Sequence, residues 1–141
     1  MSARTVAIAD AVVALLNAKF AADFTAVRKW VPGIRLEDMK AGENHVTIVP
    51  GQMTPTRLTR RLKADDVVLS IGVQRKLGAA ADADSDATAA LAEAVYDYLF
   101  DLDLTDPVAK FIEIAADPAA APEHLEQFRV HTAVVQVTYR T

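Results

Sequence analysis

The chain contains no cysteine, which excludes disulfide stapling, thiolate nucleophiles and cysteine-based zinc sites. Glycine is scarce, at five residues, and none of them builds the glycine-rich loop that cradles a phosphate. Ser2, Ser70 and Ser85 fall in no GxSxG turn, so the usual hydrolase and nucleotide-binding signatures are missing. His45, His124 and His131 are scattered along the chain and form no HExxH pair. Excess positive charge is lacking too. The formal net charge is -4 and the pI about 5.3, which disfavours general binding to phosphate backbones. No apolar run approaches the roughly 18 to 20 residues of a membrane span. The opening "MSARTVAIADAVVALLNAKF" carries an acid within its apolar stretch, unlike a signal peptide. These features lead us to expect a soluble, unprocessed protein with no membrane partner.

What is present suits one domain covering residues 1–141, because 52% hydrophobic and 24% charged residues are enough to bury a core and keep a polar surface. From Val6 to Phe20, Ile8, Val12, Leu15, Leu16 and Phe20 recur at helical spacing, and a helix with one buried stripe follows. "FTAVRKWVP" predicts a strand from Phe24 to Val31, and "HVTIVPG" a second, stopped by Pro50 and Gly51. Thr56 to Lys63 and Val67 to Val73 alternate as the arms of a hairpin, with Ala64, Asp65 and Asp66 between them as its turn. "GAAADADSDAT" reads as a mobile acidic linker. Asp86 then caps a helix carrying Leu91, Val95, Tyr98, Leu99 and Leu102 on one side. "AKFIEIAADP" gives a strand, "AAAPEHLEQ" a proline-bounded connection, and "FRVHTAVVQVTYR" a long last strand with Ala133, Val135, Val137 and Tyr139 on one face.

The order α-β-β-β-β-α-β-β implies the α+β class: a largely antiparallel sheet with helices on one face. Phe128 to Arg140 as a strand spans about 40 Å, against about 22 Å for the first helix. The last strand and the Thr56 to Lys76 hairpin should therefore project beyond the core, with backbone groups that a neighbouring subunit can pair. A strand bent back onto its own core is the alternative.

Several constellations could carry chemistry. In "DADSDATAALAE", Asp82, Asp84, Asp86 and Glu93 take positions 1, 3, 5 and 12 of a calcium loop, but Ala87 stands where the turn needs glycine. A solvated linker ending in a helix cap is the better reading, and neither metal nor cofactor is expected. Asp65 and Asp66 are read as exposed turn residues rather than an acid and base. Trp30, beside Pro32, is read as core. Glu93, Asp97 and Asp101 recur every four residues as a like-charged stripe whose members repel one another. The basic segment places Arg57, Arg61 and Lys63 on one face and Arg60 among leucines on the other, without the aromatics of a nucleic-acid platform. Arg57, Arg60, Arg61 and Lys63 are therefore expected to meet acids of another protein, with the Glu93, Asp97 and Asp101 stripe of a neighbouring subunit as a candidate. No residue is assigned a catalytic role.

With the element order in hand, the chain resembles the tail-terminator and head-to-tail joining proteins of long-tailed bacteriophages and prophages. The resemblance rests on "IADAVVALLNA" followed by "FTAVRKWVPGIRLEDM", on "VTIVPG" leading into "TPTRLTRRLKADDVVLSIGVQRKL", and on "FIEIAADPAAAPEHLEQFRVHTAVVQVTYR". It implies a structural virion subunit, made in the host cytoplasm, that forms a homo-oligomeric ring, commonly a hexamer. Such a ring caps the tail tube protein and docks it to the head-side connector, leaving a channel through which DNA passes without specific binding. The competing expectation is a small α+β ligand-binding domain or enzyme.

Overall fold

The computed structural model describes residues 3–30 and 40–141. Within them run α1 (Arg4–Lys19), β1 (Ala26–Arg28), β2 (Asn44–Arg57), β3 (Lys63–Lys76), α2 (Ala81–Leu99), β4 (Leu104–Thr105), β5 (Val108–Asp117), α3 (Pro122–Phe128) and β6 (Val130–Arg140). The strands form one six-stranded sheet ordered β1-β2-β3-β6-β5-β4. Only the β1–β2 pairing is parallel. The α+β class with a largely antiparallel sheet follows.

The core grows from two periodicities. Ile8, Val12 and Leu16 stack every fourth residue on α1, and Ala92, Val95 and Leu99 alternate threes and fours on α2. Against them stand the odd-numbered residues of two long strands: Val67, Leu69, Ile71 and Val73 of β3, with Ala133, Val135, Val137 and Tyr139 of β6. All eight strand residues are fully buried, and each large aliphatic one contributes about 1.5–3 kcal/mol of transfer free energy. Phe20 stacks on Phe24 and meets Tyr98 edge-on, which closes the space between the two helices. Asn17 ties the end of α1 to the short β1. Its amide donates to the Ala26 carbonyl at 3.1 Å and its carbonyl accepts the Ala26 N–H at 2.6 Å.

Several expectations change at the level of elements. β2 does not stop at Pro50 and Gly51. It continues to Arg57 across a bulge between Pro50 and Met53, where a proline's missing N–H is tolerated. Gly51 is required there, because a Cβ would fall 2.7 Å from the Val68 carbonyl oxygen. The expected strand and hairpin therefore merge into one long β2–β3 hairpin, with its turn at Leu58 to Leu62 rather than at Asp65 and Asp66.

The acidic linker is largely helix. α2 begins at Ala81, so Asp86 lies inside it and Asp84 is the anchor. Asp84 accepts the Gly78 N–H at 2.8 Å and the Arg75 guanidinium at 3.2 Å. These bonds, the Gly78 N–H foremost, hold its pKa below the usual carboxylate value. "PEHLEQF" forms α3, with Pro122 in its first turn where a proline is accommodated. β6 lies inside the sheet, paired to β3 on one side and β5 on the other, instead of projecting. Trp30 is 60% exposed and outside the core, while Pro32 lies outside the described residues.

Candidate assembly surfaces

The part of the hairpin that leaves the sheet is short and well defined. β6 accompanies β3 as far as Asp66, opposite Arg140, and Thr141 then exchanges both backbone hydrogen bonds with Asp65. Past that point only Thr56 with Ala64 and Arg57 with Lys63 remain paired. The turn is shaped locally, since Thr59 Oγ1 accepts the N–H groups of Arg61 and Leu62 at 3.3 and 3.1 Å. At this tip Leu58 and Leu62 are 55% and 62% exposed, and Arg57, Arg60, Arg61 and Lys63 are exposed beside them. Lys63 Nζ reaches back to Asp65 at 3.7 Å. Among the described residues, the three arginines have no ion-pair partner.

The root of the arm is a charge clamp. Asp65 is buried, not an exposed turn residue, and Arg4 from α1 closes on it at 2.6 Å. Asp66 takes a bidentate bond from Arg140, at 2.8 and 3.1 Å, and a third from the Thr56 hydroxyl at 2.9 Å. The Arg140 hydrogen bond outweighs partial burial and lowers the Asp66 pKa. Both acids fix the arm's direction from two sides.

The sheet has two lateral edges, and each is covered only in part. β1 pairs with Val46 to Ile48, so residues 49–57 of β2 have no partner strand on that side among the described residues. β4 pairs with Val108 and Ala109 alone. Asp103 Oδ1 accepts the Phe111 N–H at 2.8 Å, after which residues 112–117 of β5 have no partner strand on that side among the described residues. Among the described residues, one open edge thus lies on each side of the sheet.

Beside the β5 edge, α2 overhangs the sheet. Phe111 and Ile114 pack against the core, but Ala116, opposite Val135 on the same face, is too small to fill the space beneath the helix. A hollow of about 540 Å³ results, lined by Glu93, Tyr96, Asp97, Ile114, Ala115 and Ala116. Glu93 and Asp97 stand exposed at its rim. Asp101, expected on the same stripe, leaves it: α2 ends at Leu99, and Asp101 adopts a left-handed turn with φ 59°. The sequence concealed the hollow because alanines carry no functional signal, and it left the exposure of Leu58 and Leu62 open because alternation only set them with Arg60 on one face.

The other face of the sheet carries a polar row. His45 lies opposite Gln74, and Gln74 opposite Thr132. Gln74 Nε2 donates to Thr132 Oγ1 at 3.2 Å, and His124 Nδ1 lies 2.9 Å from the same hydroxyl. His45 Nε2 is buried without a hydrogen bond, 3.4 Å from the Glu43 carboxylate. His131 points elsewhere, to the Pro118 carbonyl. Among the described residues no three His, Asp or Glu side chains converge to hold a metal ion. The calcium-loop acids are spread along helix α2 rather than gathered in a loop. Tyr139 is fully buried with no partner for its hydroxyl among the described residues, and burial raises its pKa. None of the described helices is long and apolar enough to cross a membrane. The chain matches no protein-family model and no curated protein.

Proposed function

We propose that the chain is a ring-forming structural subunit of the tail-terminator or head-to-tail joining kind, capping a tail tube and joining it to a head-side connector around a channel for DNA. The observation that carries this reading is a pair of edges on opposite sides of one sheet, residues 49–57 of β2 and 112–117 of β5, that have no partner strand on their outer side among the described residues. Such edges accept strands from neighbours through backbone hydrogen bonds. Contacts between unlike surfaces, repeated with a closing rotation, generate a ring. A net charge of -4 suits a channel that DNA must traverse without sticking. On this reading the protein acts in the virion, at the tail or neck, and performs no catalysis.

Negative-stain electron microscopy of the purified protein, alone and mixed with tail tubes, tests it. Rings or capped tubes are expected. A protein that stays monomeric up to high concentration and leaves tubes unaltered overturns the reading. The rival ligand-binding reading draws on a hollow of about 310 Å³ between β1 and β2, bordered by His45 and Gln74. It would prevail if the monomer bound a small polar molecule there and His45→Ala abolished that binding.

A further inference from the structure

We propose that the hairpin tip of one copy seats in the α2–β5 hollow of the next, with Leu58 and Leu62 covering Ile114 and Ala116, and the tip arginines facing Glu93 and Asp97. This inference rests on the ring-forming reading and names the contact that joins its subunits.

The two surfaces match in shape and charge. The tip offers two exposed leucines ringed by Arg57, Arg60 and Arg61. The hollow offers apolar walls from Tyr96, Ile114 and Ala116, with two carboxylates at the rim. Apolar anchors inside a charged border are the usual anatomy of an interface. The occupant must come from another copy. Ala115 lies across Gln136 from Ser70, and Lys63 is seven residues further along β3, about 23 Å away. The bonds at Asp65 and Asp66 hold the arm straight along that direction, so a tip cannot fold back into its own hollow. Tip and hollow are different surfaces, and each copy has one of each, so their union can repeat head-to-tail from copy to copy.

A charge exchange tests the contact. R57E/R60E/R61E makes tip and hollow both acidic, and E93R/D97R makes both basic. All five positions are exposed, so both variants should match the wild-type circular dichroism. Each variant alone should associate on the order of a hundredfold more weakly than the wild type in analytical ultracentrifugation. Their equimolar mixture should reassemble, because every acidic tip then finds a basic hollow and every basic tip an acidic one. The absence of native cysteine adds a second measurement: L62C and A116C copies, mixed and oxidised, should form a cross-linked pair that neither gives alone. Wild-type association by either charge variant, failure of the mixture to reassemble, or absence of the mixed cross-link overturns the proposal. If assembly persists through these changes, the ring reading stands and this contact falls. If the wild type never associates, both fall.

Discussion

The inner and outer halves of the β2–β3 hairpin share one pairing scheme and differ in what holds them. Near the sheet centre, Val46, Ile48, Leu69, Ile71 and Val73 are buried, and the ladder is fixed by the helices packed above it. Past Asp65 the strand ends carry Arg57 and Lys63 and the turn carries Leu58 and Leu62, all in solvent, with no layer above them among the described residues. Hydrophobic burial dictates the inner register, since a shift by one residue would turn a whole apolar face outward. The outer half depends on Thr59's local bonds and on the charge clamp at its root. The same antiparallel pairing can therefore serve stability at one end and leave the other end free to serve recognition.

Substitutions along the hairpin should separate the halves. The largest effect is expected from Leu69→Ala, which opens a cavity in the inner half and should cost about 3 kcal/mol in urea unfolding. A loss under 1 kcal/mol would mean that the inner half is not the core. Gly51→Ala, at the junction, forces a Cβ against the Val68 carbonyl and should cost about 1–3 kcal/mol, with the bulge relaxing or the strands parting. Asp66→Asn should act through pH. The Asp66 pKa is lowered in the folded state, so its stabilisation is complete above the unfolded value of about 3.9 and disappears as pH falls through the folded one. Wild type and variant should thus differ at pH 7 and converge below about pH 4 in thermal melts. A difference that persisted unchanged into acid would remove the Arg140 pairing as its cause. The smallest effect belongs to Leu58→Ser with Leu62→Ser, within about 0.5 kcal/mol for the monomer. A large loss of stability there would show that the tip folds onto its own chain.

The sequence was legible wherever periodicity and burial coincide. The stripe of α1, the alternation of Val67, Leu69, Ile71 and Val73, and the shared face of Ala133, Val135, Val137 and Tyr139 all follow from local pattern and lie in the core. It was misleading where a residue's partner is remote. Asp65 and Asp66 have the composition of a turn, yet Arg4 and Arg140 make them the acids of a charge clamp in which Asp65 is buried, the second pair being 74 residues apart. Pro50 signals a strand end, and the bulge absorbs it. The aspartates before Leu91 have the composition of a linker, and only the bonds from Gly78 and Arg75 to Asp84 give the helix its earlier start. Of the seven charged residues proposed for assembly, Arg57, Arg60, Arg61 and Lys63 gather at the tip and Glu93 with Asp97 at the hollow, while Asp101 stands apart. The apolar half of each surface was invisible, because Leu58, Leu62 and Ala116 acquire meaning only from their surroundings.

Asp65 has a mechanical consequence. Its backbone is bonded to Thr141 at the end of β6, and its carboxylate holds Arg4 at the start of α1. The tip is thus a lever whose fulcrum is tied to the first helix and the last strand together. A force on the tip is carried along β3 and β6 in the direction of their length, where many backbone bonds share the load, instead of peeling the hairpin open one pair at a time.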